Sequence, residues 1–140
     1  MKDKGMVSSF LVTKLGVFLA IFLLLAASID TYSSFKRSKN REMKEKIASF
    51  VIDSIEEADS LPGNVYMERK VPDHGVSCEL KISGKAENFQ TVEVSIIGSG
   101  EVKISTLLDS RLNGGNFEIE EKNPDKIIIS KDNGLRLEVV

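Results

Sequence analysis

The feature that most constrains this chain is an apolar segment near its start. Residues 6–29 are mostly Leu, Phe, Ile, Val and Ala, and residues 15–29 read LGVFLAIFLLLAASI without a charge. A helix needs about 20 such residues to cross the hydrocarbon core of a bilayer. The short charged leader MKDKG, residues 1–5, precedes the segment. These observations predict a transmembrane helix over residues 6–30, with the membrane as a partner.

No helix breaker follows the apolar segment. Residues 30–61 contain no glycine, and the first proline is Pro62. Apolar residues continue at spacings of three and four, which places them on one face of a helix. We therefore expect residues 31–61 to extend the helix as an amphipathic stalk that packs on a sheet through Met43, Ile47, Phe50, Val51 and Ile55. The alternative is an irregular linker at residues 31–40 and a separate helix at residues 41–60, because Thr, Tyr, Ser and Asn are middling helix formers.

The pattern changes from helical to alternating after Pro62. Seven short segments alternate apolar and polar residues, as half-buried strands do: 65–71, 76–82, 91–96, 101–105, 116–120, 126–129 and 135–139. Gly and Asn mark turns between them, at residues 73–75, 84, 98–100, 113–115, 123–125 and 132–134. The sequence predicts an α+β fold, in which a long N-terminal helix, half membrane and half amphipathic, packs on a small antiparallel sheet or sandwich over residues 62–140.

Size and composition exclude several classes of function. The chain has 140 residues and a net charge of −2, so the β-domain is small and offers no basic face for nucleic acid. One cysteine, Cys78, and one histidine, His74, give neither a disulfide nor a metal-ligand pattern. We expect no catalysis, no cofactor and no metal site, and we expect Cys78 to be a small buried residue on a strand.

Lys4 and Gly5 stand directly before the apolar helix, which continues into an amphipathic stalk and a C-terminal β-domain. This arrangement resembles the type IV pilin superfamily, and most closely archaeal pilin-like proteins with class III signal peptides. The resemblance covers the whole chain. It implies that a prepilin peptidase cuts on the cytoplasmic side after Gly5, which leaves Met6 as the first mature residue. It also implies a subunit of a surface filament or secretion apparatus, with pilin-like subunits as homo- or hetero-oligomer partners.

The apolar helix departs from the pilin pattern at two positions. Phe10 stands at the fifth mature position, where many pilins carry Glu, and Lys14 stands at the ninth. The missing Glu favours a minor or accessory subunit. Lys14 either extends to the membrane interface or meets an acidic group of a partner subunit. The residues expected to assemble the helix in the membrane are Phe10, Lys14, Leu15, Phe18, Phe22 and Leu25.

Charges around the helix bear on orientation and on assembly. Residues 31–46 hold six basic and two acidic side chains, which by the positive-inside rule places the β-domain in the cytoplasm. The basic leader before the apolar segment favours the opposite orientation, with the β-domain outside the cytoplasm. We expect this orientation, which also suits a subunit of a cell-surface filament. Acidic residues follow at Asp53, Glu56, Glu57 and Asp59. Staggered neighbouring subunits would set the basic cluster against the acidic one.

Two alternatives to a filament subunit remain open at this point. One is a non-polymerising, membrane-anchored β-sandwich that binds a surface layer, a stator or a soluble ligand. The other is a secreted protein cut by an ordinary signal peptidase after the small residues Ala26, Ala27 and Ser28.

Overall fold

The computed structural model describes residues 3–73, 75 and 77–140, with side chains from residue 8 onward. One helix, α1, spans Asp3–Ser60. Residues 31–40 are helical, so the alternative of an irregular linker there is not observed. Seven strands follow, and their bounds are β1 Val65–Lys70, β2 Glu79–Ala86, β3 Gln90–Gly98, β4 Gly100–Leu108, β5 Phe117–Lys122, β6 Lys126–Lys131 and β7 Leu135–Val139.

The strands form two antiparallel sheets. The four-stranded sheet has the order β4-β3-β2-β5, and the three-stranded sheet has the order β1-β6-β7. The predicted last hairpin is present, because β6 and β7 pair from Ile127 opposite Val139 to Lys131 opposite Leu135. The predicted α+β class, a long N-terminal helix packed on small antiparallel sheets, is confirmed.

The chain divides into two compact units, Met1–Lys39 and Asn40–Val140. Within the second unit, one hydrophobic core joins the helical residues to both sheets. Alternate residues of the central strands point into it, as the period of two requires. The fully buried large side chains of the strands are Leu80, Ile82, Val92, Val94, Ile96, Ile127, Ile129 and Leu135.

The C-terminal part of α1 lies between the edge strands of the two sheets. Thr106 of β4 donates a hydrogen bond to the Glu56 carboxylate. Arg69 of β1 pairs with Glu57, at 2.6 Å between Nη2 and Oε2. Successive helical residues point about 100° apart, so Glu56 and Glu57 border the exposed side of the helix, and each side chain reaches a different sheet. Ile55 lies on the other side of the helix, which faces the core, and it is fully buried.

Gly84 does not form a turn, contrary to the prediction. It lies inside β2, opposite Val92 of β3 and Phe117 of β5. A Cβ at Gly84 would overlap the Phe117 ring, so the missing side chain makes room for the ring rather than for a sharp bend. The connection between β2 and β3 is made instead by residues 87–89.

The predicted strand at residues 76–82 begins later than expected, at Glu79. Cys78 is buried but precedes the strand. Its N–H donates to Oδ1 of Asn123 (3.0 Å), and its carbonyl accepts from the Asn123 N–H (2.8 Å). An asparagine side chain therefore replaces one ladder hydrogen bond. His74 and Val76 lie outside the described residues.

Candidate functional site

The apolar part of α1 is exposed in the unit that contains it. Phe18 is 76% exposed, and Phe10, Leu15, Phe22 and Leu25 are each more than half exposed. Exposed apolar surface on this scale marks contact with a membrane or with other proteins. The described residues contain one helix long and apolar enough to cross a membrane, which fits a single-pass membrane protein. A signal sequence near the N-terminus shares these properties.

Hydroxyl groups in and just after the apolar segment are satisfied within the helix. Thr13, Ser28 and Thr31 each donate to the carbonyl four residues earlier, at 2.8–2.9 Å. In hydrocarbon an unpaired hydroxyl is costly, because no water replaces the lost hydrogen bond. These side chains are therefore compatible with a lipid environment.

Lys14 contacts Phe10 within the apolar part of α1. Its Nζ lies 4.5 Å from the centre of the Phe10 ring, one helical turn earlier. The ammonium group thus leans toward the N-terminal end of the helix, which is the direction a lysine takes to reach a membrane interface. An acidic partner for Lys14 in a second subunit stays a prediction.

The processing residues Lys4, Gly5 and Met6 lie in the first turns of α1. Their side chains are outside the described part of the chain. Cleavage after Gly5 therefore stays a prediction.

The stalk residues differ in burial. Ile47, Val51 and Ile55 are at most 1% exposed, whereas Phe50 is half-buried against the core and Met43 is half-buried. Four further residues of this segment are buried that the spacing does not predict, and these are Lys44, Ala48, Ile52 and Ser54. Sheets on both flanks widen the buried arc beyond the single stripe that spacing alone predicts.

Lys44 is the buried charge that links α1 to the four-stranded sheet. It is 7% exposed, and its Nζ donates to the Gly100 carbonyl at 2.7 Å. A Cβ at Gly98 would lie 3.1 Å from that Nζ, so the β3–β4 turn fits closely around the lysine. Lys44 belongs to the basic cluster predicted to contact neighbouring subunits, and its burial removes it from that role.

Most of the acidic cluster is also used within the second unit. Besides the contacts of Glu56 and Glu57, the Asp59 carboxylate accepts from the N–H groups of Asp109 (2.9 Å) and Ser110 (3.2 Å). On the basic side, Arg41 pairs with Glu45 and Lys46 with Glu42 along the same helix. Among the described residues, those that remain without such partners are Asp53 in the acidic cluster and Lys36, Arg37 and Lys39 in the basic one.

Cys78 does not have the environment of a reactive thiol. Burial raises its pKa, and the positive charge of Lys44 offsets only part of that effect. A raised pKa keeps the thiol protonated, and the thiolate is the reactive form. Within the described residues, no group of three or more His, Cys, Asp or Glu side chains could hold a metal ion.

The outward face of the four-stranded sheet carries a charge ladder. Lys81 of β2 pairs with Glu118 and Glu120 on β5, with 2.7 Å between its Nζ and Glu120 Oε1. The hydrogen bonds to Glu118 and Glu120 raise the pKa of Lys81, and the bond to Lys81 lowers the pKa of Glu120. Glu121 lies on the opposite face of β5 and is half-buried.

Comparison with known proteins adds no relative. No protein-family model matches the chain, and no curated protein and no solved structure matches it significantly. The class defined so far is therefore an α+β protein with one membrane-length N-terminal helix.

Proposed function

We propose that this chain is a pilin-like structural or minor subunit of an archaeal or other prokaryotic surface filament or secretion apparatus. In this proposal the apolar part of α1 anchors the subunit and packs against the same segment of neighbouring subunits. Cleavage after Gly5 releases the mature N-terminus at Met6. The β-domain lies outside the cytoplasm, and the chain carries out no reaction.

One observation supports this proposal above the others. Helix α1 has an exposed apolar part and a part whose residues Ile47, Val51 and Ile55 are buried in a β-domain. A helix that served only as an anchor needs no structural role inside the domain. In this proposal the same helix both enters the membrane and contributes to the core of the β-domain.

The first experiment is the intact mass of the mature protein, purified both from the membranes and from the culture medium of its own cells. Loss of residues 1–5 is the expected result. Loss of residues 1–28 indicates an ordinary secreted protein, and an untrimmed leader indicates a plain membrane anchor. Either of these two masses contradicts the proposal.

The second experiment tests assembly directly. In a Cys78→Ala background, which removes the one natural thiol, we expect Phe18→Cys and Phe22→Cys to form disulfide-linked dimers in membranes after mild oxidation. Tyr66→Cys is the matched control, because Tyr66 is 71% exposed on the β-domain. Crosslinking at Tyr66 but at neither helix position would contradict assembly through the apolar helix.

A non-polymerising anchored binding module is the second candidate. It is favoured by the charges of the stalk, because Glu56, Glu57 and Asp59 all have partners within their own unit. Few groups are then left to set a register between subunits. This candidate predicts a monomer in the crosslinking experiment and a ligand for the β-domain.

A further inference from the structure

A shallow groove of about 670 Å³ lies beside the outer edge of β7. Arg111, Asn113 and Gly114 line it from the segment after β4, and Asn133, Gly134 and Arg136 line it from the β6–β7 hairpin. Within the described residues, no acidic side chain is part of this lining. Two arginines thus line one groove.

The backbone that carries the two arginines is held firmly. Asn113 N–H donates to the Leu135 carbonyl at 2.8 Å, and the Asn113 side chain both accepts from and donates to the backbone of Leu137, at 2.9 and 3.1 Å. Leu112, fully buried, forms a parallel bridge with Leu135. The segment with Arg111 is therefore fixed against the strand with Arg136, and little ordering is needed when a ligand binds.

Both arginines lack a carboxylate partner, which distinguishes them from the other arginines of Asn40–Val140. Arg41 pairs with Glu45 at 2.9 Å, and Arg69 pairs with Glu57 at 2.6 Å. Across the described part of the chain, neither Arg111 nor Arg136 has an ion pair or a side-chain hydrogen bond. Their charges are thus not neutralised by the fold.

Acidic residues lie near both arginines in the sequence: Asp109 is two residues before Arg111, and Asp132 and Glu138 are close to Arg136. Asp132 lines an adjoining groove of about 300 Å³ together with Ser130 and Arg136. Ser130 stands directly opposite Arg136 in the β6–β7 register. The negative charge of Asp132 repels an anion from the smaller groove. We therefore expect an anion to bind Arg136 in the larger groove, which Arg111 also lines.

The groove is at the end of the second unit where α1 terminates. Asp59, near the helix end, binds the backbone of Asp109 and Ser110 just before Arg111, and its carbonyl accepts from Lys131 at 2.7 Å. The buried contact of Lys44 lies at the other end of β4. The groove is therefore remote from the end at which the helix enters the β-domain.

We propose that this groove binds a phosphate-type oxyanion, either free or carried by a larger ligand. Each guanidinium offers a planar fork of N–H donors that matches two phosphate oxygens, and two such forks match a dianion better than a single carboxylate. Gly114, whose φ is 79°, and Gly134 have no side chains that would obstruct the approach of a ligand to the two arginines. The proposal does not depend on filament assembly, because all of its residues lie within Asn40–Val140.

The test uses the full chain in non-ionic micelles, labelled with ¹⁵N at arginine. Inorganic phosphate is titrated against sodium chloride of equal ionic strength while the Nε–Hε signals are followed. We expect the signals of Arg111 and Arg136 to shift together and saturate with one dissociation constant, and the signal of Arg69 to stay in place. Equal shifts in chloride, or acetate binding as tightly as phosphate, would overturn the proposal.

Variants separate a built site from general positive charge. Arg111→Gln should weaken phosphate binding at Arg136 by roughly ten-fold or more, whereas the matched control Arg41→Gln should leave it unchanged. If Arg111→Gln does not fold, Arg111→Lys tests the same point, since it keeps the charge and loses the fork. Asp132→Asn should tighten binding. If the affinity for phosphate is unchanged both in Arg111→Lys and in Asp132→Asn, the proposed site is overturned.

A second arm identifies the source of the oxyanion. Micelles doped with phosphatidylglycerol replace the free phosphate in the same experiment. Saturable shifts of Arg111 and Arg136 with the lipid alone assign the site to a phospholipid headgroup, and shifts with inorganic phosphate alone assign it to a soluble phosphate. Shifts with neither probe refute the proposal.

Discussion

Lys44 donates a hydrogen bond of 2.7 Å from its Nζ to the carbonyl oxygen of Gly100, and so joins the stalk helix to the first residue of β4. The lysine lies four residues after the start of the second unit. Burying an ammonium group costs free energy unless the group is hydrogen-bonded, and here the Gly100 carbonyl supplies that bond. The position of the β3–β4 turn and the position of the helix therefore depend on each other. This contact fixes where the helix enters the β-domain.

We expect Lys44→Ala to lower the free energy of unfolding by about 1–3 kcal/mol, because it leaves the Gly100 carbonyl unpaired and opens a gap beside Gly98. The matched control is Lys46→Ala, which removes an exposed lysine paired only with Glu42 and should cost less than about 0.5 kcal/mol. Urea unfolding of the full chain in micelles, followed by circular dichroism, measures both. Equal losses for the two variants would contradict the role of Lys44.

A second pair of variants compares two isoleucines of the same helix. Ile55 is fully buried, whereas Ile29 is 68% exposed. Ile55→Ala should cost about 2–5 kcal/mol through lost burial and a cavity, and Ile29→Ala should change the unfolding of the β-domain very little. Urea unfolding of the full chain in micelles measures both changes in the free energy of unfolding. A loss of less than 1 kcal/mol for Ile55→Ala would show that the stalk contributes little to the core.

Two fragments test whether the β-domain needs the stalk. The fragment 40–140 retains Lys44, Ile47, Val51 and Ile55 and should fold as a soluble domain with dispersed amide signals. The fragment 62–140 loses every helical residue of the core and should unfold or aggregate, because the apolar inner faces of both sheets are left in water. Dispersed amide signals from the fragment 62–140 would refute this dependence.

The helix and the seven strands could be predicted from the sequence because their signals are local. The spacing of Ile47, Val51 and Ile55 already indicates one helical face. Partnerships between distant residues leave no such signal. Arg111 and Arg136 line the same groove because Leu112 pairs with Leu135, and Glu57 is neutralised by Arg69 of an edge strand. Gly84 was misread because a glycine that admits a neighbouring ring looks the same as a glycine in a turn.

The Lys81 cluster should show a definite pH dependence. Because the pKa of Glu120 is lowered from its ordinary 4.5, its stabilising effect is complete above that pH and is lost as the pH falls below it. The pKa of Lys81 is raised from 10.5, so its effect is lost only as the pH rises above that value. Carbon-13 NMR titration should show Glu120 titrating below 4.5. Lys81→Met should raise that pKa, and Lys70→Met, on the other sheet, should not. An unmoved Glu120 titration in Lys81→Met would contradict the pairing.

Gly84 and Phe117 face each other across β2 and β5, and a double-mutant cycle should show that they are coupled. Gly84→Ala places a Cβ in the space of the Phe117 ring and should cost about 1–3 kcal/mol by displacing the ring from the core edge. In a Phe117→Ala background the same change should cost clearly less, because the ring is gone and the next nearest atom to the added Cβ is Gln90 Nε2, at 2.9 Å. Gly16→Ala is the control, since a Cβ at that position meets no atom within 4 Å. Additive losses for Gly84→Ala and Phe117→Ala would mean that the glycine serves the strand conformation and not the ring.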